Sequence, residues 1–355
     1  MNEKRMQRRV GAIRRQLSRG RLDGLILTKP ANVTYVTGFS GEDSWALIGR
    51  GAVYLLTDSR YTEQARKECP GVKIVERKSP IAQAAGKLLA KWKAAQTIGV
   101  ENSISLASYQ VLKKSLGARL KAAGELVEDL RSIKDEGELA LVQAAAGIAA
   151  MAFQRAMRHI RPGISESTLA GILDLEMRRQ GAKIAFETIV AFGPNASRPH
   201  HQPSQRILKG TDTILIDFGA RYDGYCCDIT RSFAFGRPTA AYCRAYEAVA
   251  KAQAAAIRAA WAGVELTAVD AAARNEVRAG GLPVYGHGTG HGFGLEIHET
   301  PFLREAVKGK LRAGQVITIE PGVYLPGKLG VRIEDDILIT DEGAKILTEA
   351  CPRWK

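Results

Sequence analysis

Residues 213–233, TILIDFGARYDGYCCDITRSF, place two carboxylates in a pair of strand-like runs. One apolar run ends in Asp217, a turn around Asp223-Gly224 reverses the chain, and Asp228 opens the return run. Apolar runs on either side of an Asp-Gly turn are typical of a β-hairpin. We therefore predict a hairpin that carries both aspartates.

A second pair of runs repeats this design about a hundred residues later. In QVITIEPGVY (315–324) Glu320 ends a β-branched run, and in GVRIEDDILIT (330–340) Glu334 lies inside the next one. The repetition predicts a second hairpin-like pair with two more carboxylates.

Between the two pairs lies a histidine-rich segment, GHGTGHGFGLEIHE (286–299), which supplies His287, His291 and His298. Its glycines remove side-chain bulk and are expected to let the backbone approach a ligand closely. Five of the six histidines of the chain fall between positions 200 and 298. Imidazole and carboxylate are ligands that divalent metal ions prefer, so this composition favours a metal site.

Four carboxylates around one point repel each other, and some would be protonated at neutral pH unless cations neutralised them. Two divalent ions resolve that conflict. In two-metal sites the ions lie roughly 3.5–4 Å apart and lower the pKa of a bridging water, which yields a hydroxide nucleophile. The chemistry that these residues imply is hydrolysis.

These motifs, taken in order, closely resemble the proline-specific metallopeptidases, the family of Xaa-Pro dipeptidase (prolidase) and aminopeptidase P. The resemblance also covers LDGLILTKPANVTYVTGFSGEDSW (22–45) and TDSRYTEQA (57–65), which are similar to the creatinase-like amino-terminal domain of those enzymes. It implies hydrolysis of the bond between an amino-terminal residue and proline by a metal-bridging hydroxide.

The resemblance also assigns metal ligands. Asp217 and Asp228 would bind one ion, His291 and Glu320 would complete the shell of the other, and Asp228, Glu334 and the bridging hydroxide would be shared. A shell rich in oxygen with one imidazole suits Mn²⁺, while Co²⁺, Zn²⁺ and Fe²⁺ remain compatible.

Catalytic and substrate-facing groups follow from the same resemblance. Glu320 would take the proton of the attacking water, and His200 in NASRPHHQPS, with His298, would hold the substrate carbonyl oxygen. His287 could line the proline pocket or bond to a ligand. Arg332 is counted among the substrate-binding candidates, although its place two residues before Glu334 also suits it to hold a ligand carboxylate.

Several neighbours of the site stay open at this point. Thr230, two residues after Asp228, could support a ligand. Cys226 could in principle be a thiolate ligand, but a small buried apolar residue is the simpler interpretation. His201 is unassigned, and His159 is interpreted as structural.

The length of 355 residues predicts two domains. We expect a creatinase-like α/β domain at 1–134. At 135–355 the family resemblance implies an α+β pita-bread catalytic domain, in which helices cover a curved antiparallel sheet. Helix-rich stretches at 139–181 and 240–280 each precede a ligand hairpin, although the two halves share no detectable sequence identity.

The first segment is a basic amphipathic helix in which Met6, Val10, Ile13 and Leu17 recur at helical spacing. It could be an organellar transit peptide, but it runs straight into the first strand, as an integral element would. A net charge of +14 without a nucleic-acid-binding motif argues against nucleic acid as the main partner. We find no apolar stretch of about 18 residues and expect no membrane span.

Five cysteines without CxxC spacing indicate free thiols and a cytoplasmic protein. The expected partners are proline-containing di- or oligopeptides and, because relatives form one, a second copy in a homodimer. The sequence does not separate dipeptidase from aminopeptidase activity. It is also compatible with an enzyme like methionine aminopeptidase and with a non-catalytic peptide-binding scaffold. A metal-free creatinase-type hydrolase fits less well, because it would be expected to lack several ligands.

Overall fold

The structure of the protein is a computed structural model that describes residues 3–92 and 94–353. Its internal contacts divide the chain into two compact units, Met1–Arg131 and Ser132–Lys355.

The amino-terminal unit is an α/β structure built on a six-stranded mixed sheet in the order β4-β3-β2-β1-β5-β6. Its central strands are buried apolar runs, as the sequence predicts. The helices of this part are α1 (Glu3–Arg19), α2 (Pro30–Thr37), α3 (Thr62–Glu68), α4 (Ile81–Leu89), α5 (Leu106–Ser115) and α6 (Leu126–Ser132), and the strands are β1 (Gly24–Leu27), β2 (Trp45–Gly49), β3 (Val53–Thr57), β4 (Lys73–Glu76), β5 (Thr97–Val100) and β6 (Arg119–Ala122).

The first helix has the amphipathic character that its sequence predicts. Met6, Val10, Ile13 and Leu17 are all buried, while most of the arginines on the helix are exposed or partly exposed. Helix α1 is therefore an integral part of the amino-terminal unit.

The second unit has four long helices and sheets whose strand pairs are all antiparallel. The helices are α7 (Glu136–Met157), α8 (Glu166–Arg179), α9 (Ala240–Ala259) and α10 (Leu266–Ala279). The strands are β7 (Lys183–Ile184), β8 (Ile189–Phe192), β9 (Thr213–Phe218), β10 (Ala220–Tyr222), β11 (Tyr225–Cys226), β12 (Ile229–Ala234), β13 (Gly290–Gly292), β14 (Glu299–Leu303), β15 (Val316–Ile319), β16 (Gly322–Leu325), β17 (Leu329–Arg332), β18 (Asp335–Ile339) and β19 (Ala344–Ile346), and a short 3₁₀ helix spans Gly193–Ser197.

Both predicted carboxylate-bearing hairpins form, and each consists of an outer strand pair and a smaller inner hairpin. In the first, β9 pairs with β12, and the chain between them folds into the small hairpin β10–β11. In the second, β15 pairs with β18 around the hairpin β16–β17. Asp223 and Gly224 both have positive φ at the tip of the first hairpin, as an Asp-Gly turn of this kind requires.

A pair of helices precedes each of the two hairpins, and the second helix of each pair begins in the same way. Gly163 and Gly263 have φ of 92° and 96° and lie just before α8 and α10. Their N–H groups donate to the carbonyl oxygens of Leu208 and Leu311, respectively. The two halves of this unit therefore repeat one backbone plan.

Helix α7 requires a correction to the sequence analysis. Residues Glu136–Met157 are long and apolar enough, by length and composition alone, to cross a membrane. In the fold, however, half of that apolar window is buried inside the structure. The ring of Phe153 stacks on that of Phe218 with their centroids 5.2 Å apart. Alanines at 145, 149 and 152 share the same core, so α7 has the packing of a core helix.

We predict that Phe153→Ala lowers the free energy of unfolding by about 3–5 kcal/mol, because it leaves a cavity against Phe218. Differential scanning calorimetry of the purified protein measures the change. The control is Met151→Ala on the exposed side of the same helix, where 47% of the residue is accessible; its effect should stay within about 0.5 kcal/mol. Equal destabilisation by both variants would contradict the buried role of Phe153.

Candidate metal centre

One cavity of about 480 Å³ in the second unit brings together all nine residues that the sequence analysis singles out as metal ligands, catalytic groups or substrate-binding groups. Further wall residues include Phe186, Glu187, Phe302 and Arg304. The nine are Asp217, Asp228, His291, Glu320, Glu334, His200, His287, His298 and Arg332.

The first two carboxylates lie where the outer strand pair gives way to the inner hairpin. Asp217 is on β9, directly opposite Thr230 on β12, and Asp228 immediately precedes β12. Gly219 lies at this junction, where a Cβ would collide with the carbonyl oxygen of Cys227. The close approach of the two chain segments therefore requires glycine.

The second two carboxylates occupy the corresponding junction of the other strand pair. Glu320 follows β15, and Glu334 lies between β17 and β18 rather than inside one continuous strand. His291 lies on β13, next to β15 in the sheet. Gly290 is forced by this packing, since a Cβ there would collide with the carbonyl oxygen of Thr318. The close approach that glycine permits at this position is to a neighbouring strand.

His291 presents one ring nitrogen to the carboxylates. Its Nδ1 lies 3.1 Å from the carbonyl oxygen of Gly292, to which it can only donate, so Nε2 keeps its lone pair. That Nε2 lies 3.5 Å from Glu320 Oε1 and 3.7 Å from Asp228 Oδ2. Ligand-type atoms of Asp228, His291 and Glu334 all lie within 4.8 Å of one another.

Burial and the closeness of the carboxylates to one another shift the pKa values of several groups in this cluster. Burial, together with the charges of Glu334 and Asp217, raises the pKa of Asp228 well above its usual range. The pKa of Glu334 is raised in the same way, by burial and by the charge of Glu320. Burial raises the pKa of Glu320 to about 8, whereas burial lowers the pKa of His291 to about 4 and keeps its imidazole neutral.

Arg332 and Thr230 tie the two carboxylate pairs together. Arg332 Nη2 donates to Asp217 Oδ2 at 2.6 Å, and its Nε donates to Thr230 Oγ1 at 3.0 Å. Thr230 in turn donates to Glu334 Oε2 at 2.6 Å. The expected contact of Arg332 with a carboxylate is present, but its partner is Asp217 and not the nearby Glu334. The expected support from Thr230 is also present.

A hydrogen-bonded chain leads from Arg332 to His287. Arg332 Nη1 donates to the hydroxyl of Tyr324 at 2.9 Å, and that hydroxyl lies 3.0 Å from His287 Nε2. His287 Nδ1 donates to the carbonyl oxygen of Gly288, so Nε2 is the acceptor for Tyr324. Burial lowers the pKa of His287 to about 4, and this neutral imidazole stacks on Tyr285 with their centroids 4.8 Å apart.

The other two candidate histidines remain accessible from the cavity. His200 and His298 are exposed, and the ring of His298 lies 4.4 Å from that of His291 between centroids. The ring of His298 is nonetheless partly removed from solvent, and this partial burial, with the nearby His200, lowers its pKa and favours a neutral imidazole that can donate a hydrogen bond. His200 is also close enough to His287 to influence its pKa.

The remaining candidates lie elsewhere or have other partners. Cys226 is buried and does not line the cavity, and burial raises the pKa of its thiol to about 12, which favours a packed thiol over a thiolate ligand. His159 is exposed near the end of α7 and lines a different surface depression. His201 is buried and lies 2.8 Å from Glu166.

The donor set fits divalent cations. Asp217 Oδ1 is buried and has no hydrogen-bond partner among residues 3–92 and 94–353, although its other oxygen is held by Arg332. Burial and the charges of neighbouring carboxylates raise the pKa values of Asp228, Glu320 and Glu334, so the cluster lacks positive charge. Hard oxygen donors with one neutral imidazole are suited to ions such as Mn²⁺.

Sequence reasoning missed the scaffold behind His287 and His291. Asp270 on α10 is fully buried and accepts hydrogen bonds from Thr289 and Arg274. Arg274 donates onward to the carbonyl oxygens of Tyr285 and His287. Asp270 and Arg274 are spaced as an ordinary helical ion pair, and their loop partners are 11 to 19 positions away, so no local signal marks these helix residues as part of the site.

Models of known protein families match both parts of the chain. Residues 140–341 match the model of metallopeptidase family M24, and residues 9–133 match the creatinase/prolidase N-terminal domain. The Xaa-Pro dipeptidase of Pyrococcus furiosus is 34% identical over 351 residues, which are 97% of this chain and 98% of that protein.

Solved structures match over nearly the whole chain. The Xaa-Pro dipeptidase from Bacillus anthracis has a TM-score of 0.93 and 36% identity, with 98% of this chain and 99% of that one covered. The X-Pro aminopeptidase from Thermotoga maritima has a TM-score of 0.87 and 36% identity, with 96% and 99% covered. These matches confirm an α/β amino-terminal domain followed by a pita-bread catalytic domain. The chain belongs to metallopeptidase family M24, carries a creatinase/prolidase-type amino-terminal domain, and is a metallopeptidase.

Proposed function

We propose that this metallopeptidase hydrolyses the peptide bond between an amino-terminal residue and proline, with two divalent cations bound in the cavity. The observation that carries the proposal is the convergence of four carboxylates and His291 with three further histidines in one cavity of about 480 Å³. Relatives named as Xaa-Pro dipeptidase and X-Pro aminopeptidase support it.

Five residues would hold the cations: Asp217, Asp228, His291, Glu320 and Glu334. The bound ions would neutralise the carboxylates and lower the pKa of water enough to supply a nucleophile near neutral pH. Glu320 is the residue that we assign to take the proton from the attacking water, because a carboxylate held at the metal site within hydrogen-bond reach of that water can shuttle a proton without moving far.

Stabilisation of the developing oxyanion would come from the accessible histidines. His298, kept neutral by burial, and His200 would donate to the substrate carbonyl oxygen. His287, fixed between Tyr324 and Gly288, would shape the pocket for the substrate. The guanidinium of Arg332 already makes four hydrogen bonds, so we assign it to holding Asp217 and Tyr324 in place rather than to a strong substrate contact of its own.

Proline specificity has a physical rationale. The bond to a proline nitrogen is a tertiary amide without an N–H and with a bulky ring, so its hydrolysis requires an activated nucleophile and a pocket that admits the ring. Aromatic surface from Phe186 and Phe302 lines this cavity and would accommodate such a ring.

We propose in addition that the native metal is Mn²⁺. We also propose that the enzyme is a cytoplasmic homodimer and that its two domains span residues 1–134 and 135–355.

A second candidate function is that of a methionine aminopeptidase-like enzyme or of a peptide-binding scaffold without turnover. The exposed His200 and His298 beside the carboxylates favour catalysis over a scaffold, since a scaffold has no use for groups that stabilise an oxyanion.

The proposal predicts metal-dependent release of the residue in front of proline. Chelated protein, with and without added Mn²⁺, is incubated with an Xaa-Pro dipeptide and an Xaa-Pro-Yaa tripeptide, and the products are measured by chromatography. Cleavage of the dipeptide alone identifies a dipeptidase, and cleavage of the tripeptide identifies an aminopeptidase. Removal of amino-terminal methionine from peptides without proline would favour the second candidate enzyme, and no cleavage with any divalent metal would favour the scaffold.

Asp228→Asn is expected to abolish both metal uptake and hydrolysis, because it removes the carboxylate proposed to bridge the ions. Metal content is measured by mass spectrometry and affinity by titration calorimetry. Asp223→Asn is the matched control: it makes the same change at the exposed tip of the same hairpin, where asparagine tolerates the positive φ. An Asp228→Asn protein that remains active and metal-replete would rule out the bridging role.

His298→Ala should keep its metal but lose turnover by about 10²–10³-fold, as removal of an oxyanion donor does in other hydrolases. Steady-state kinetics and metal analysis are carried out on the same preparation. His159→Ala, which removes an exposed histidine outside the cavity, should behave like the wild type. If His298→Ala instead loses metal and turns over normally per bound ion, His298 belongs to the metal site.

A further inference from the structure

We propose that the buried pair Glu166–His201 is a positioning device that holds His200 in the cavity. The inference rests on the proposed function, since it concerns how one of the proposed oxyanion donors is placed. Neither Glu166 nor His201 belongs to the proposed metal or oxyanion-binding groups.

Glu166 acts as a clamp on the segment 192–204. It is fully buried at the start of α8. Its Oε1 accepts hydrogen bonds from the backbone N–H of Phe192 at 2.7 Å and from the side chain of Asn195 at 2.8 Å. Its Oε2 accepts from His201 Nε2 at 2.8 Å and from both the backbone N–H and the hydroxyl of Ser204, at 3.0 and 2.6 Å.

One carboxylate therefore fixes both ends of the segment 192–204, which consists of a short 3₁₀ helix and an irregular stretch. Burial alone would raise the pKa of Glu166, but the hydrogen bonds from Ser204 and His201 outweigh it and lower the pKa, so the group stays an anion that accepts from all its donors. An anion that accepts several charge-assisted hydrogen bonds is a strong and directional anchor.

His200 lies in a turn at residues 198–201, and a backbone hydrogen bond from His201 closes that turn. The N–H of His201 donates to the carbonyl oxygen of Arg198, which forms a tight turn with Pro199 and His200 at its corner. The carbonyl oxygen of Pro199 accepts from Arg332 Nη1 at 3.4 Å. The turn is therefore held on one side by the residue that binds Asp217 and on the other by the Glu166–His201 pair.

No hydrogen bond from the described part of the chain holds the side chain of His200. That side chain is exposed, yet it lies close enough to His287 and His298 to lower their pKa values. The location of such a side chain is set by its backbone. Loosening the turn would therefore displace an oxyanion donor, and small displacements of this kind reduce rates strongly.

A double-mutant cycle tests the proposal. His201→Ala should lower kcat/KM by about 10- to 100-fold, mainly through kcat, with metal content unchanged. In a His200→Ala background the same substitution should change kcat/KM by less than about 2-fold, because the residue through which it acts is gone. Fully additive losses would overturn the proposal.

A conservative variant separates positioning from direct chemistry. His201→Gln keeps an Nε2 donor for Glu166 but has no imidazole, and it should recover activity to within about 3-fold of wild type, because only the hydrogen bond is needed. If His201→Gln is as impaired as His201→Ala, the imidazole has a role of its own and the positioning role is wrong.

Hydrogen exchange provides a readout that needs no substrate. In Glu166→Gln the amides of Phe192 and Ser204, and in His201→Ala the amide at position 201, should exchange faster than in the wild type, as measured by mass spectrometry of peptides spanning 190–206. Ser165→Ala, which removes the cap of α8 but leaves the partners of Glu166 in place, is the control for general destabilisation. Unchanged exchange in both test variants would refute the clamp even if the enzyme acts on proline peptides. Faster exchange in a wild-type-like fold that cleaves no such peptide would place the failure in the proposed function.

Discussion

The fold of the catalytic unit depends on one electrostatic constraint, which is that four carboxylates must lie together in a largely buried cavity. Burial raises the pKa of Asp228 and of Glu334, and the charges of neighbouring carboxylates raise it further. Without cations, the repulsion that Arg332 does not relieve favours the uptake of protons, and metal binding would release those protons again. Three features keep these like-charged side chains close together in spite of their repulsion. They are the strand pairing, the glycines at the close approaches and the hydrogen-bond donors around the site.

Backbone geometry supplies most of that restraint. Each carboxylate pair lies where a long strand pair passes into a short hairpin, so the cross-strand register fixes the side chains without long loops. Arg332 adds the only positive charge among the nine predicted site residues, apart from any protonated histidine, and it binds Asp217 while contacting Thr230 and Tyr324. Arg332 thus partly neutralises the cluster at one edge, while Asp217 Oδ1 is buried without a hydrogen-bond partner in the described part of the chain.

Features that depend on a short segment of the sequence could be predicted, whereas contacts between residues far apart in the sequence could not. The two hairpins and the helix-rich stretches that precede them were predictable, because each depends on periodicity or turn chemistry within a short segment. The repeated plan of the two halves was not detectable as identity, because what recurs is a backbone hydrogen-bond pattern that many side chains permit. Gly163 and Gly263 mark it in the structure, through their positive φ. The contacts of Glu166 with His201 and of Arg332 with Asp217 join residues 35 and 115 positions apart, and no local pattern reports such distances.

The repetition of the two halves has an evolutionary consequence. One half alone presents two carboxylates at the end of a strand pair, which is an incomplete binding site. Two such halves face to face present four, so duplication of a single segment would create the cavity without any new acidic residue. After such a duplication only the histidines would remain to be placed, and in this chain they come from the 200–201 loop in one half and from the 287–298 segment in the other. A site built in this way would resist piecemeal loss, because neither half retains a use for its carboxylates without the other.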